Sequence, residues 1–230
     1  TLLILFLLPI LIFLFISCKK QTFLNPGIIK LIAKGNLLEL KKLVQNDLSV
    51  NAKDQYGFTA LMYATIYGKI EIVKLLLKKN VDVNARDNGG LTAIFCASIH
   101  GHLDIIKLLF AKKANIDLKD LEGQNALFPA SRFGYKDIVK FLIEKGININ
   151  AKDKIGRTAL MIASQRGRIE IVKMLIANNA NINIEAENKW TALAFAALEG
   201  HLPLVELMIA MGADLRHKNI ALCNASLKGH

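Results

Sequence analysis

The sequence has few of the residues from which disulfide frameworks, metal sites and active sites are built. It contains three cysteines and no CxxC pair among its 230 residues, which argues against both a disulfide-stapled fold and a zinc ribbon. It also lacks an HExxH motif, a Ser–His–Asp order and a phosphate-binding glycine loop. These absences predict a protein that is not an enzyme and that needs no cofactor.

Acidic residues are also in short supply. The chain has 19 Asp and Glu against 30 Lys and Arg, which gives a formal net charge of +11. A positive balance of this kind attracts acidic proteins, anionic lipid head groups or nucleic acid, and the spread of the charge along the chain does not choose among them. Glu185, Glu187 and Glu199 flank the basic part of the repeats described below, so we expect a protein partner rather than nucleic acid.

One long uncharged run stands near the N-terminus, from Leu2 to Ile16. It is shorter than the roughly 20 residues that a spanning helix needs, and it has the length of a signal-peptide core, about 7–15 residues. Ser17 and Cys18 follow it and resemble a bacterial lipobox, which implies lipidation of Cys18. We expect residues 1–18 to be this signal peptide, 19–25 a linker, and the protein to be exported and tethered to a membrane of the cell envelope. A single-pass membrane anchor and a cleaved secretory peptide are the alternatives.

A repeat of 33 residues organises the rest of the chain. Several positions recur at this step: Gly57, Gly90, Gly123 and Gly156; Thr59, Thr92, Asn125, Thr158 and Thr191; Ala64, Ala97, Ala130, Ala163 and Ala196. Within one unit, Thr59 predicts the N-cap of a short helix through about Tyr67, and Gly68 predicts its end. A second helix with a broad apolar face follows from about Ile70. Because one unit cannot bury its apolar face alone, the units must stack.

The pattern G-x-T-A-L, then A, then G, then V-x-x-L-L, then N or D-x-N-A-x-D resembles the ankyrin repeat over roughly residues 26–230. The resemblance implies an all-α solenoid of stacked helix–turn–helix units with β-hairpin-like loops. It also implies a concave face, built by the loop tips and the first helices, that binds a protein. We expect a degenerate first unit at 26–53, five units over about 54–218 and a truncated last unit at 219–230. Pro129 is expected about four residues into its helix, where it removes a donor and loosens that turn.

Three features that could carry chemistry have structural interpretations. His100 and His102 lie two residues apart, but no further ligand stands in a fitting register, so no metal site is expected. Cys96 replaces a leucine of the first helix and is expected to be a buried thiol. The aspartates Asp54, Asp87, Asp120 and Asp153 recur at one position of the repeat, where they are expected to cap or brace loops.

The partner-binding candidates are tip and first-helix positions, because these vary from unit to unit while the packing positions do not. The candidates are Tyr56, Phe58, Tyr67, Leu91, His100, Leu121, Gln124, Arg132, Phe133, Lys154, Arg157, Arg166 and Trp190. The wider set of tip positions also includes the basic residues Lys53, Arg86, Lys119 and Lys152. The first hypothesis is an exported interaction scaffold. The alternative is the interaction arm of a larger enzyme, effector or channel whose functional domain lies outside these residues.

Overall fold

The computed structural model describes residues 24–45 and 50–215. The expectations for Leu2 to Ile16, for Cys18 and for the truncated unit at 219–230 lie outside the described residues. Within them, twelve α-helices form six consecutive pairs, with no β-strand. The helices are α1 Pro26–Lys34, α2 Leu37–Gln45, α3 Ala60–Ile66, α4 Ile70–Leu77, α5 Ala93–His100, α6 Leu103–Ala111, α7 Leu127–Phe133, α8 Lys136–Glu144, α9 Ala159–Gln165, α10 Ile169–Ala177, α11 Ala192–Leu198 and α12 Leu202–Ala210.

Threonine side chains cap the N-termini of four of the first helices, as the sequence predicts. Thr59 has extended backbone angles, and its hydroxyl oxygen accepts from the N–H of Met62 at 3.3 Å. This bond satisfies one of the N–H groups that a helix start leaves without a partner. Thr92, Thr158 and Thr191 cap their helices in the same way.

The third unit departs from this pattern at the start of its first helix. Asn125 replaces the threonine, and its side-chain oxygen accepts from the N–H of Leu127 at 3.2 Å, so that α7 begins only at Leu127. Pro129 is therefore the third residue of the helix rather than the fourth. In the other full units the residue at this position donates its N–H to the carbonyl of the capping threonine, as Tyr63 does to Thr59 at 3.1 Å. Proline has no N–H, so the third unit lacks this bond.

The helices form two layers. The first helices α1, α3, α5, α7, α9 and α11 pack in series, and the second helices pack behind them, in series from α2 to α10. The first helices are buried almost all round: Ala60, Leu61, Met62 and Ala64 of α3 are each at most 1% exposed. The second helices bury one stripe, such as Ile72, Val73 and Leu76 of α4. The recurring alanine allows the first helices to approach closely, because its side chain adds almost no bulk.

The packed domain begins two residues earlier than the sequence indicates. Leu24 is buried, and its N–H donates to the carbonyl of Lys53 at 3.1 Å. Asn25 is the N-cap of α1, where its side-chain oxygen accepts from the N–H of Gly27 at 2.7 Å. The predicted linker at 19–25 is therefore too long at its C-terminal end, since Leu24 and Asn25 belong to the first unit.

Candidate protein-binding surface

An aspartate braces four of the five tips of the loops between the helix pairs, and Ala186 holds the same position in the fifth. The Asp54 carboxylate accepts from the N–H groups of Tyr56 and Phe58, both at 2.9 Å, and the N–H of Asp54 donates to the carbonyl of Phe58 at 3.0 Å. Equivalent bonds form at Asp87, Asp120 and Asp153. The aspartates therefore brace the loops, as predicted, and each tip is a tight hairpin-like turn.

Backbone hydrogen bonds join each tip to the next. The N–H of Asn88 donates to the carbonyl of Tyr56 at 3.0 Å, and the N–H of Leu121 donates to the carbonyl of Gly89 at 2.8 Å. The same link recurs from Lys154 to Glu122 at 2.8 Å and from Glu187 to Ile155 at 3.1 Å. Five tips are thus joined into one edge, and their side chains are held at a regular spacing.

The basic tip residues were expected to face a partner, but their side chains bond to the next unit of the same chain. The ammonium group of Lys53 donates to the carbonyl of Arg86 at 2.7 Å, and the Arg86 guanidinium donates to the carbonyl of Lys119 at 2.5 Å. Lys119 and Lys152 continue the series, to the carbonyls of Lys152 and Glu185 at 3.2 and 3.4 Å. These side chains bind the next unit of the same chain, so they are not free partner contacts. We call each such bond between units a staple.

A second set of staples was missed by the sequence interpretation. The side-chain oxygen of Asn150 accepts from the N–H of Asn181 at 2.8 Å, and its amide nitrogen donates to the carbonyl of Asn179 at 3.3 Å. Asn51 and Asn84 each make the same two contacts with the unit that follows their own. The signal in the sequence was the recurrence of Asn51, Asn84, Asp117, Asn150 and Asn183 at the 33-residue step.

Four of the candidate side chains are large, apolar and exposed. Tyr56 and Leu121 at the tips are 61% and 55% exposed, and Tyr67 and Phe133 at the ends of first helices are 44% and 46% exposed. Aromatic residues concentrate at protein interfaces, because they bury much area for little lost conformational freedom. We call the surface formed by the tips and by the exposed ends of the first helices the inner surface.

An aromatic row lies at the first full unit of the inner surface. The ring of Tyr63 lies 5.5 Å from that of Phe58 and 6.3 Å from that of Tyr67. The Tyr63 hydroxyl donates to the second carboxylate oxygen of Asp54 at 2.6 Å, which fixes the ring against its tip. Burial, together with the hydrogen bond to Asp54, raises the pKa of Tyr63, so this hydroxyl stays protonated.

Three arginines lie close together at the third and fourth units. Arg157 is held by Asp153, with Nε donating to Oδ2 at 2.8 Å. Burial lowers the pKa of the Arg132 guanidinium, and the charges of Arg157 and Arg166 lower it further. The neighbouring positive charges that act on Arg132 create a positive potential, which an acidic group of a partner would relieve. Lys154 is exposed at the tip of the fourth unit.

Several candidates are less accessible than expected. Gln124 is only 8% exposed, and its side-chain oxygen lies 3.5 Å from Nη2 of Arg132, so it supports the arginine rather than facing outward. Phe58, Leu91 and Trp190 hold the same repeat position and are half-buried. The Trp190 ring lies edge-on to Phe195 at 5.2 Å. Side chains at this position lean onto their own first helix, which the repeat pattern alone does not reveal.

His100 and His102 have no third metal-ligating side chain beside them among the residues that the structure describes. Their rings lie 6.1 Å apart, and Nε2 of His102 lies 3.4 Å from the carbonyl oxygen of Ile66 in the previous unit. Burial lowers the pKa of His100, and the neighbouring His102 contributes. Over residues 24–45 and 50–215, no group of three or more His, Cys, Asp or Glu could hold a metal ion.

In the same residues, no helix is both long and apolar enough to cross a membrane.

Cys96 is buried in α5, as predicted. Its side chain is a free thiol, and burial raises its pKa to about 12, with the charge of Asp87 adding to the effect. A protonated, enclosed thiol is neither a nucleophile nor a metal ligand. Cys96 therefore acts as a small core residue.

The structure shows that the 33-residue repeat forms paired helices with tips that are hydrogen-bonded to one another. Comparison with protein families leads to the same repeat. The family described as ankyrin repeats (3 copies) matches residues 10–87, 29–120, 84–153 and 151–219. The chain belongs to the ankyrin-repeat family. No curated protein matches it. Ankyrin repeats are generally protein–protein interaction modules, and proteins of this family are typically not enzymes. The all-α solenoid of ankyrin units is confirmed.

Proposed function

We propose that this ankyrin-repeat chain is a scaffold that binds a protein through the inner surface, the concave face expected for its family. The observation that carries the proposal is the exposure of Tyr56, Tyr67, Leu121 and Phe133 on an edge made rigid by bonds between the tips. A rigid surface loses little conformational entropy on binding, so that burying these side chains contributes more fully to affinity.

The inner surface changes character along the solenoid. Tyr56 and Tyr67 form an aromatic area at the first full unit, and Arg132, Arg157 and Arg166 form a positive area two to three units further on. A partner suited to both areas carries an apolar segment and an acidic group on one face. Charge at the arginines would steer the encounter, and the aromatic side chains would supply most of the affinity.

A paired substitution experiment tests this assignment. Tyr56, Tyr67, Leu121, Phe133 and Arg166 are replaced by alanine in one variant of the full chain, and Lys107, Lys140 and Lys173 of the second helices in a control variant. Proteins retained from cells of the source organism are quantified by mass spectrometry for the unaltered chain and for both variants. We expect partners to be lost only from the inner-surface variant, because central aromatic and arginine truncations cost about 2 kcal/mol or more each.

Circular dichroism of both variants controls for folding, since the replaced side chains are exposed and the helices should persist. Loss of the same partners from the lysine variant, with retention by the inner-surface variant, would place binding on the second helices. The ankyrin fold would stand, and the inner-surface assignment would not.

The membrane part of the proposal is that the chain is exported and tethered through a lipidated Cys18. The apolar run from Leu2 to Ile16, followed by Ser17 and Cys18, supports it. Acyl chains contribute about 0.8 kcal/mol per buried methylene, so removing them should release the protein. Cys18→Ala should leave an unprocessed precursor or move the chain out of the membrane fraction, read by intact mass and fractionation. Unchanged mass and fractionation would favour the spanning anchor.

A further inference from the structure

A groove of about 360 Å³ opens among the second helices, in the layer behind the inner surface. Its apolar lining comes from Leu37 of α2, from Leu75 and Leu77 of α4 and from Leu108 and Ala111 of α6. Its charged lining consists of four lysines and one glutamate: Lys41, Lys74, Lys78, Lys112 and Glu71. The groove therefore crosses three successive units and combines an apolar floor with a positive rim.

The next position along the second helices shows why this groove does not continue between α6 and α8. Between α6 and α8, the rings of Phe110 and Phe141 meet edge to face at 5.7 Å. The ammonium group of Lys145 lies over both rings, 5.9 and 5.5 Å from their centroids. In the same repeat position as Phe141, the groove has Leu75 and Leu108. The smaller side chains leave a space that aromatic rings and a lysine fill one unit later.

The rim carries positive charge that the described part of the chain neutralises only at Lys74. Lys74 pairs with Glu71 at 2.7 Å. Among the residues that the structure describes, no carboxylate forms an ion pair with Lys41, Lys78 or Lys112. Lys41 lies on α2, and Lys78 and Lys112 directly follow the last residues of α4 and α6. Packed helices are about 8–10 Å apart, so the charges extend over roughly 20 Å. One anionic head group is too small to meet all three.

We propose that this groove binds an acidic amphipathic helix of another protein. Apolar side chains at i, i+3, i+4 and i+7 would enter the floor, and carboxylates along both edges would meet the lysines. At 1.5 Å per residue, a helix of about 14 residues covers the 20 Å. Leu37, Leu75 and Leu108 of the floor are half-buried and the lysines of the rim are exposed, which suits an inserted ridge of side chains better than a flat membrane surface. The site is separate from the inner surface, so the scaffold can hold two partners at once.

The probe is a synthetic helical peptide of about 14 residues with leucine at the four spacings and glutamate on both sides. A peptide of the same composition in scrambled order is its control. Binding of the fluorescent peptides to the full chain is measured by anisotropy. We expect the scrambled peptide to bind at least about tenfold more weakly, because it has the same charge but no continuous apolar stripe.

Two variants with equal charge locate the site. Lys41→Glu, Lys78→Glu and Lys112→Glu together reverse the rim, and Lys107→Glu, Lys136→Glu and Lys140→Glu together reverse three lysines outside the groove. We expect the rim variant to lose affinity about tenfold or more and the control to stay within about twofold. Ala111→Phe fills the groove without changing charge, should also weaken binding, and keeps the test decisive if the rim variant loses helicity.

Three results would overturn the proposal. Equal losses in the rim and control variants would mean attraction by net charge alone. Equal binding of the ordered and scrambled peptides would mean that the groove does not recognise the apolar stripe of a helix. Binding of anionic phosphatidylglycerol vesicles or of dodecanoate, with the same dependence on the rim lysines and no binding of the peptide, would assign the groove to a lipid. None of these results bears on partner binding at the inner surface.

Discussion

Lys189 shows how one residue departs from the repeat at a conformational cost. Four units have glycine at this position, and Lys189 adopts a left-handed backbone with φ of 65°. A side chain in that region crowds its own backbone, which costs about 1–2 kcal/mol. The ion pair of Lys189 with Glu185, at 3.4 Å between an exposed lysine and a half-buried glutamate, offsets little of this cost.

Lys189→Gly should therefore stabilise the chain. We expect the free energy of unfolding in urea to rise by roughly 0.5–1 kcal/mol, because relief of the strained backbone exceeds the extra entropy of an unfolded glycine. Gly156→Lys is the matched control. There the φ is 79°, and a Cβ would lie 3.1 Å from Cα of Ala186, so that variant should be less stable. A fall in stability for Lys189→Gly would refute the strain argument.

Cys96 should be chemically silent in the folded protein. Since burial raises its pKa to about 12 from the ordinary 9.0, almost no thiolate exists at pH 8. Iodoacetamide should leave Cys96 unmodified in the native chain and modify it in guanidinium, as read by peptide mass spectrometry. The sign for stability follows: the thiol's contribution is complete below pH 9 and is lost as pH rises toward 12. Rapid labelling of native Cys96 would contradict this interpretation.

At the scale of elements, staples hold one helix pair against the next. Side chains of one unit bond to backbone groups of the following unit at the tips, through residues such as Arg86, and at the helix ends, through residues such as Asn150. Each staple satisfies a backbone group that would otherwise lack a protein partner. The units are therefore joined by directional bonds as well as by apolar packing.

Asn150→Ala should lower the free energy of unfolding by about 1–2 kcal/mol, since the N–H of Asn181 and the carbonyl of Asn179 would lose their partner. Asn178→Ala is the control, because its side chain bonds to the carbonyl of Met174 in its own helix, at 2.8 Å. We expect the control to lose less than half as much in urea or thermal unfolding. Equal losses would mean that bonds between units add nothing beyond local ones.

The helices could be predicted from the sequence because their signals are local. Thr59 and Gly68 lie within a few residues of the backbone groups that they satisfy or allow, so a short window identifies them. The shifted start of α7 could not be predicted, because it depends on which N–H the Asn125 side chain selects. The staple from Lys53 was also missed, because its acceptor is a backbone carbonyl 33 residues away, and residue types do not reveal carbonyls.

The exposure of the candidate surface could be predicted for the surface as a whole but not residue by residue. Tyr56, Tyr67 and Phe133 are exposed where the repeat phase placed them. Gln124 was misplaced, because its burial depends on Arg132 leaning across it. The groove among the second helices was not predicted, since it arises from a difference of side-chain volume between Leu108 and Phe141 in neighbouring units.

The whole molecule is two layers that differ in how fully they are enclosed. The first helices from α3 to α9 contact both neighbouring units and the second layer, whereas the second helices have one side in solvent. Proteins open locally where the least buried surface is given up. The second helices can therefore open while the first layer stays packed.

Hydrogen exchange should reveal this order. We expect amides of α7 and α9 to exchange more slowly than those of α8 and α10, as followed by mass spectrometry at neutral pH, because opening a first helix exposes more apolar surface. Comparing helices of the same unit controls for position along the solenoid. Equal or reversed protection would mean that each helix pair opens as one body.

The staples also set a rule for how the chain can change in length. They join residues 29, 31 or 33 positions apart in successive units. Duplicating or deleting one stretch of 33 residues brings every donor to an equivalent acceptor, whereas a change of another length displaces all the bonds at that junction. Unequal recombination between the similar coding stretches can therefore lengthen or shorten this protein by whole units while the fold on either side is kept.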